Sequence, residues 1–292
     1  MGAGPAAVAS WILQEFPLGS SPQRLSQIIV DFGTSESWFA SDAEAQEKGE
    51  RWLVPLKKRL ARALSDAREF DYVARFDFNP SDASYIQGYC YVTATDSLEL
   101  QLAKLARVHL DHYRSEIRRR SSDDFEAVCR GILAILGCAN PILTPHSDDQ
   151  GLDVFGEIQS IGLVSQMGAL YGQERRLSSW IVGQAKKYTI PVEAADIREF
   201  VGSRELQRLG IFSGDGRALE MLRAKPLQAT HLIFLTTGPL RSGAREVARG
   251  AGVIVIGESE VAALLADHRV ATVAGVYWPH RFDSWIVRLS AA

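Results

Sequence analysis

Gly151-Leu152-Asp153-Val154, followed by Trp180-Ile181-Val182-Gly183-Gln184-Ala185-Lys186, decides the fold of this chain. The first segment carries an acidic residue at the edge of a short apolar run. The second ends in Gln-x-Lys. Strand residues i and i+2 point to one face, so Gln184 and Lys186 address the same side. Pairing the two segments as adjacent strands gathers Asp153, Gln184 and Lys186. A carboxylate and an amide oxygen suit a hard divalent cation, which takes oxygen ligands. An ammonium beside them orients water and stabilises charge that develops in a transition state. This equipment points to metal-dependent phosphodiester hydrolysis, with Mg2+ or Mn2+ as the expected ion.

Elements around these strands predict an α/β layer. An apolar-periodic helix over 125–136 precedes them, stopped by Gly137. A helix over 192–202 follows, opened after Pro191. Then come a strand at 231–237, a helix at 242–249, a strand at 252–256 and a helix at 259–266. The tail, 277–289, is aromatic and reads as one more strand. Between the two deciding strands, 159–179 is Gly-rich and polar and reads as a hairpin or mobile loop.

The first 118 residues read as a separate α+β domain. Trp52, Leu53, Leu56, Leu60, Ala63 and Leu64 recur at helical spacing within 41–70, where Pro55 marks a kink or a later start. Residues 28–32 and 85–92 read as strands, 79–82 as a turn, and 98–117 as a long helix. The boundary is Arg118-Arg119-Arg120-Ser121-Ser122-Asp123-Asp124. Its arginines suit a helix C-terminus, and Ser122, Asp123 or Asp124 suits the next N-cap; contact with a phosphate backbone is the competing reading. The second domain is then 119–292.

Composition sets outer bounds. The chain has 292 residues, 46% hydrophobic and 23% charged, enough for a sizeable core. Its net charge of -3 is no overall nucleic-acid signature; a nuclease then needs a local basic face or a bound metal. Cys90, Cys129 and Cys138 contain no C-x-x-C pairing and read as reduced, buried thiols of a cytoplasmic protein. No apolar run reaches the ~18 residues of a membrane span. The first sixteen residues lack the basic start of a secretory signal. There is no Walker A motif and no G-x-G-x-x-G after a strand.

The second domain resembles the Mrr-like, restriction-endonuclease branch of the PD-(D/E)xK nuclease superfamily. The likeness rests on an ordered set. Phe125-Glu126 with 133–138 looks like the family's opening helix, with Glu126 in the place of its acidic residue. Asp149-Gln150-Gly151-Leu152-Asp153-Val154 looks like its Gly-(Ile/Leu)-Asp strand. Gln184-Ala185-Lys186-Lys187-Tyr188 looks like its Gln-x-Lys motif, and the units over 192–202 and 235–265 follow in order. The resemblance implies a mixed central sheet flanked by helices and metal-assisted cleavage of DNA that leaves 5′-phosphates. It also implies a setting in prokaryotic restriction or anti-phage defence. Two stretches depart from the pattern, 159–179 and 203–230, the latter with Gly214-Asp215-Gly216.

The expected catalytic set is therefore Asp153, Gln184, Lys186 and Glu126, with Asp153, Gln184 and Glu126 as metal ligands. Gln184 supplies a neutral oxygen, so metal affinity should be weaker than with a second carboxylate. Each residue has a plainer reading: Asp153 as a turn residue, Gln184 as a sheet-edge amide, Glu126 as a first-turn acid. Glu157, four residues beyond Asp153, is a weaker candidate ligand, and Lys187 reads as a solvated cation. His146-Ser147-Asp148-Asp149 lacks a partner at zinc spacing and reads as a polar loop. His109 and His112 fall on an exposed helix, and Trp11, Trp38 and Trp52 read as core. Expected partners are DNA, a second copy of the chain, and a defence-system protein met through the N-terminal domain, with no membrane. Two competitors stay open: a binding module that does not cut, and a nuclease gated by its N-terminal domain.

Overall fold

The structure is a computed structural model in which residues 2–69, 74–144, 151–160, 177–211, 222 and 228–291 are described. The chain forms two compact units, Met1–Leu110 and Asp111–Ala292.

The first unit is built from helices on a small sheet. They are α1 (Pro5–Glu15), α2 (Leu25–Ser35), α3 (Asp42–Glu69) and α4 (Leu98–Arg107), with strands β1 (Gln23–Arg24), β2 (Phe76–Phe78) and β3 (Tyr85–Gly88) in the order β1-β3-β2. Residues 28–32, expected as a strand, lie inside α2. Their β-branched run suggests extension, but Leu25, Ile28 and Ile29 are buried while Gln27 and Asp31 are exposed, a helical period. The expected helix over 98–117 is two helices, α4 and α5 (Leu110–Arg119). No Gly or Pro marks the break, so periodicity ran through it. Helix α3 tolerates Pro55 because that residue faces solvent, where water can meet the carbonyl left without its N–H partner. The core holds Ile12, Phe16, Ile29, Leu56, Leu60, Phe76 and Ile86, with Trp11, Trp38 and Trp52 packed against it. Trp11 stacks on Phe32 at 5.1 Å, so the tryptophans serve packing.

The second unit is a five-stranded mixed sheet flanked by helices. Its strands are β4 (Ile142–Leu143), β5 (Val154–Ser160), β6 (Leu177–Lys186), β7 (Thr230–Thr236) and β8 (Val253–Ile256), in the order β4-β5-β6-β7-β8. The pairs β4/β5 and β5/β6 are antiparallel, and β6/β7 and β7/β8 are parallel. Helices α6 (Ser122–Ile135), α7 (Ala194–Arg208), α8 (Ser242–Ala251), α9 (Glu258–Asp267) and α10 (Pro279–Ser290) complete the unit with a hairpin of β9 (Thr272–Val273) and β10 (Val276–Tyr277). Leu152, Phe155, Val182, Phe200 and Phe234 bury one layer of the core.

The tail expected as a strand is α10. Pro279 stands in its first turn, where a missing N–H costs nothing. Phe282 and Ile286 recur at i, i+4 and are buried. Trp285 of this helix presses on Gly131 of α6, where a Cβ would lie 2.3 Å from its ring, so only glycine admits this docking. The Arg130 guanidinium of α6 donates to the carbonyls of Pro141 and Leu289.

The basic boundary cluster is neutralised within the second unit. Arg114 and Arg118 each donate to Glu258 at 2.8 Å, and Arg119 and Arg120 meet Glu116 and Asp283. Tyr113 donates to the Val270 carbonyl. These ties explain why α5, from Asp111 onward, belongs with the second unit, ahead of the division expected at 118/119. The N-cap of α6 is Ser121, whose hydroxyl accepts from the Asp124 N–H at 3.1 Å, rather than one of the three residues after it. All three cysteines are buried, as expected. Among the described residues no helix is long and apolar enough to cross a membrane.

Candidate active site

Strand pairing brings the sequence-predicted residues together. In the β5/β6 ladder Val154 faces Gly183, and Asp153, just before β5, pairs its backbone with the same Gly183, which sets Asp153 beside the Gln-x-Lys end of β6. Glycine at 183 is a steric demand, since a Cβ there would lie 2.8 Å from Val154 Cγ1.

Asp153 is fixed on three sides. Its N–H donates to the Gly183 carbonyl at 3.0 Å, and its own carbonyl accepts from the Thr144 N–H at 2.9 Å. Its Oδ2 accepts from the Ala185 N–H at 2.6 Å. The carboxylate is therefore held against the Gln-x-Lys strand by that strand's own backbone, and the residue is 6% exposed.

Gln184 is fully buried. Among the described residues, neither its Oε1 nor its Nε2 has a hydrogen-bond partner. Leaving a buried amide unpaired costs roughly 1–3 kcal/mol per group, so the plainer reading, a satisfied sheet-edge amide, is not what the structure holds. Gly151, at φ 78°, lies beside it. A Cβ on Gly151 would lie 3.0 Å from Gln184 Nε2 and 3.2 Å from Ser203 Oγ. Glycine thus serves twice here, in a left-handed backbone and in keeping space beside the amide.

Ser203 was not legible as a neighbour. The stretch from residue 203 onward reads as an insert, yet α7 continues to Arg208, with Phe200 and Arg204 buried one turn apart. Only the persistence of that helical period carried a signal.

Lys186 closes β6 two residues beyond Gln184, half-buried, and sits across from Thr236 of β7. Its carbonyl accepts from the N–H groups of Tyr188 and Thr237. The Thr237 hydroxyl donates to the Tyr188 carbonyl at 2.8 Å, so the strand end is clamped. Lys187 is half-buried on the alternate face.

Glu126 projects from α6, half-buried, and α6 packs on β5 and β6. Cys129, one turn on and fully buried, links helix and strand electrostatically. Burial pushes its thiol well above the usual range, and the nearby carboxylates of Asp153 and Glu126 push the same way. Cys138 is raised to about 11 by burial alone.

Glu157 lies elsewhere. It faces Trp180, is exposed, and accepts from Gln228 at 3.4 Å. The Gln228 amide also accepts from Trp180 Nε1 at 3.1 Å and donates to Ser178 Oγ at 2.7 Å. This far-end polar cluster occupies Glu157 as a structural partner. His112 stacks on Tyr277 at 5.4 Å. Residues 146–150 and Gly214-Asp215-Gly216 lie outside the described residues.

Among the described residues no three His, Cys, Asp or Glu side chains cluster as a metal site. The donor set at this place is one carboxylate and one amide oxygen on adjacent strands, with Glu126 on the covering helix. Hard oxygen donors of this kind suit Mg2+ or Mn2+, and an orphaned buried amide oxygen is what such an ion would satisfy.

Residues 117–213 match the family model described as a restriction endonuclease of the Mrr catalytic type. The matched stretch runs through Glu126, Asp153, Gln184 and Lys186, and it is a restriction-endonuclease domain of that type. No curated protein matches the chain. Among solved structures, the MspJI restriction endonuclease in complex with a 27-mer oligonucleotide is 17% identical, covering 71% of this chain and 41% of its own, at a TM-score of 0.41. The DNA modification-dependent restriction endonuclease AspBHI is 16% identical over 70% of this chain and 46% of its own, at 0.39. The restriction endonuclease FokI bound to DNA is 10% identical over 92% and 45%, at 0.33. The chain spans less than half the length of each.

Proposed function

We propose, with residues 117–213 as a restriction-endonuclease domain of the Mrr type, that this chain hydrolyses DNA phosphodiester bonds with the help of a divalent cation. The observation that carries the reading is the buried amide of Gln184, unpartnered among the described residues, beside the pinned carboxylate of Asp153. Asp153 and Gln184 would hold Mg2+ or Mn2+, with Glu126 as a further oxygen donor. When bound, the cation neutralises phosphate charge and lowers the pKa of water.

The chain's own residues supply the rest. Lys186, on the same face as Gln184, donates to the attacking water and to the charge that grows on the phosphate. Glu126 accepts from that water and orients it. Lys186 carries this role because its strand end is clamped by Tyr188 and Thr237. The hydrogen bond from Ala185 to Asp153 keeps the ligand carboxylate from turning away. Cleavage leaves a 5′-phosphate.

The setting proposed is prokaryotic restriction or anti-phage defence, in the cytoplasm. The first unit would target or regulate the second, or assemble it with a partner protein. Two copies would let both strands be cut together.

Incubation of supercoiled and linear plasmid with the purified chain tests the activity, with Mg2+, Mn2+ or EDTA. Nicking or linearisation with metal and none in EDTA is the expected result. Equal cleavage in EDTA, or no cleavage with either metal, would sink the reading.

The amide also makes a prediction of its own. Gln184→Glu adds a second buried carboxylate beside Asp153. Without metal the two repel, and the variant should melt below the wild type. With metal the extra charge strengthens the site, so half-maximal cleavage should need about tenfold less Mn2+. A Mn2+ titration read by cleavage and by Tm checks both. An unchanged requirement would mean that position 184 is not a ligand.

A further inference from the structure

Net charge is -3 over the chain, yet residues 51–65 hold Arg51, Lys57, Lys58, Arg59 and Arg62 and no acidic residue. This stretch lies inside α3. At 100° per residue, Arg51, Lys58 and Arg62 fall within about 40° of arc, with Arg59 on their flank. All four are exposed. The opposite side of the helix, Leu56, Leu60 and Leu64, is buried in the first unit's core. Arg51 to Arg62 spans about 16 Å along the axis.

Six arginines of the second unit make a contrast with the stripe. Arg114, Arg118, Arg119, Arg120, Arg208 and Arg241 are each matched by a carboxylate. On the stripe, among the described residues, the one ion pair is Arg62 with Asp66, at 4.0 Å. Arg51, Lys58 and Arg59 have no ion pair among the described residues, so the fold does not draw on their charge.

We infer that this face of α3 binds the phosphate backbone of duplex DNA, without reading sequence. The inference rests on the nuclease reading for the identity of the polyanion. The stripe covers about half a turn of duplex, ~34 Å per turn. A lipid surface fits less well, because the apolar side of α3 is committed to the core and cannot insert. Single strands fit less well too, because they call for exposed aromatic rings. Trp52, the aromatic residue within the stretch, packs against Trp38 and Phe39. Phosphate contacts by Lys and Arg release counterions, so they are read directly in salt dependence. The stripe also supplies a local basic face on a chain of net negative charge.

The test is fluorescence anisotropy of a random-sequence 30-bp duplex with the full chain in EDTA, over a KCl series. The fourfold variant Arg51→Ser, Lys58→Ser, Arg59→Ser, Arg62→Ser should show a log K against log salt slope shallower by about 3.6, from about 0.9 per phosphate contact. Affinity near 0.1 M salt should fall at least tenfold. The pair Lys58→Ser, Arg62→Ser should lose about half of that slope. An equal-charge control, Arg281→Ser with Arg288→Ser on exposed positions of α10, should leave it unchanged. All variants should keep the wild-type Tm, since the changes are at exposed positions. An unchanged slope in the fourfold variant, or an equal change in the control pair, would overturn the inference. So would stripe-dependent binding to anionic vesicles that outcompetes the duplex. The same proteins with plasmid and Mg2+ separate the two readings. Stripe-dependent binding without cleavage removes the nuclease and leaves the stripe; cleavage with an unaltered slope does the reverse.

Discussion

Asp153→Asn should abolish metal-dependent cleavage, with a loss of at least about 10³-fold, and should leave the fold intact. The residue has one duty in the structure and a second in the proposed reaction, and this substitution separates them. As a structural acceptor it takes the Ala185 N–H at 2.6 Å; an asparagine carbonyl accepts the same bond. As a ligand it brings negative charge to the site, and a neutral amide beside the neutral Gln184 leaves the pair with none. Removing a cation's charged ligand takes away charge stabilisation of several kcal/mol, and each 1.36 kcal/mol is tenfold in rate. Asp153→Ala is the harsher probe, because it also leaves the Ala185 N–H unpaired near the sheet, at about 1–3 kcal/mol of stability. Equal loss of cleavage in both variants, with a lower Tm only for Asp153→Ala, is the expected pattern. Cleavage by Asp153→Asn within tenfold of wild type would remove Asp153 from the site.

Lys186→Met should lower the cleavage rate by about 10²–10³-fold with little change in metal requirement. Methionine keeps the length and apolar stem of the side chain but removes its ammonium, so the strand end stays packed. A preorganised donor aimed at developing charge contributes on that scale. The loss should fall on kcat and spare the Mn2+ midpoint, because the lysine is assigned to water and phosphate rather than to the ion. A raised metal midpoint at unchanged kcat would make Lys186 an organiser of the ligands instead. Single-turnover cleavage at several Mn2+ concentrations distinguishes these.

Much of the second unit was legible because its elements are short, strongly patterned and closed by punctuation. Gly137 ends α6, Pro191 precedes α7, and Gly238-Pro239 ends β7. The apolar runs of β7 and β8 are short and bounded by turn residues, which favours strand over helix. The pairing of the two strands that carry the candidate site was legible through the ordered family motif, and the shared face of Gln184 and Lys186 was expected from their i, i+2 spacing. What failed did so where two periods compete. Residues 28–32 hold consecutive β-branched side chains, and only burial at Leu25, Ile28 and Ile29 shows the helix. Phe282 and Ile286 sit at helical spacing, yet the aromatic content of the tail pointed to a strand. The neighbours of Gln184 were hidden for another reason. Gly151 and Ser203 are far apart in sequence, and their meeting follows from how α7 crosses the sheet, which no local pattern encodes.

The docking of α10 on α6 has a consequence for the order in which the protein comes into being. Translation is vectorial, so the strands bearing Asp153, Gln184 and Lys186 leave the ribosome before residues 279–290. Until those residues arrive, Gly131 faces no tryptophan and Arg130 has lost its Leu289 acceptor. The helix that carries Glu126 then packs on the sheet and on α9 without its α10 contacts. A domain built this way ripens late, and nascent chains carry Asp153, Gln184 and Lys186 before this brace is in place. Chains arrested before Pro279 should show protease-sensitive α6 in limited proteolysis, and chains that extend past Ser290 should not.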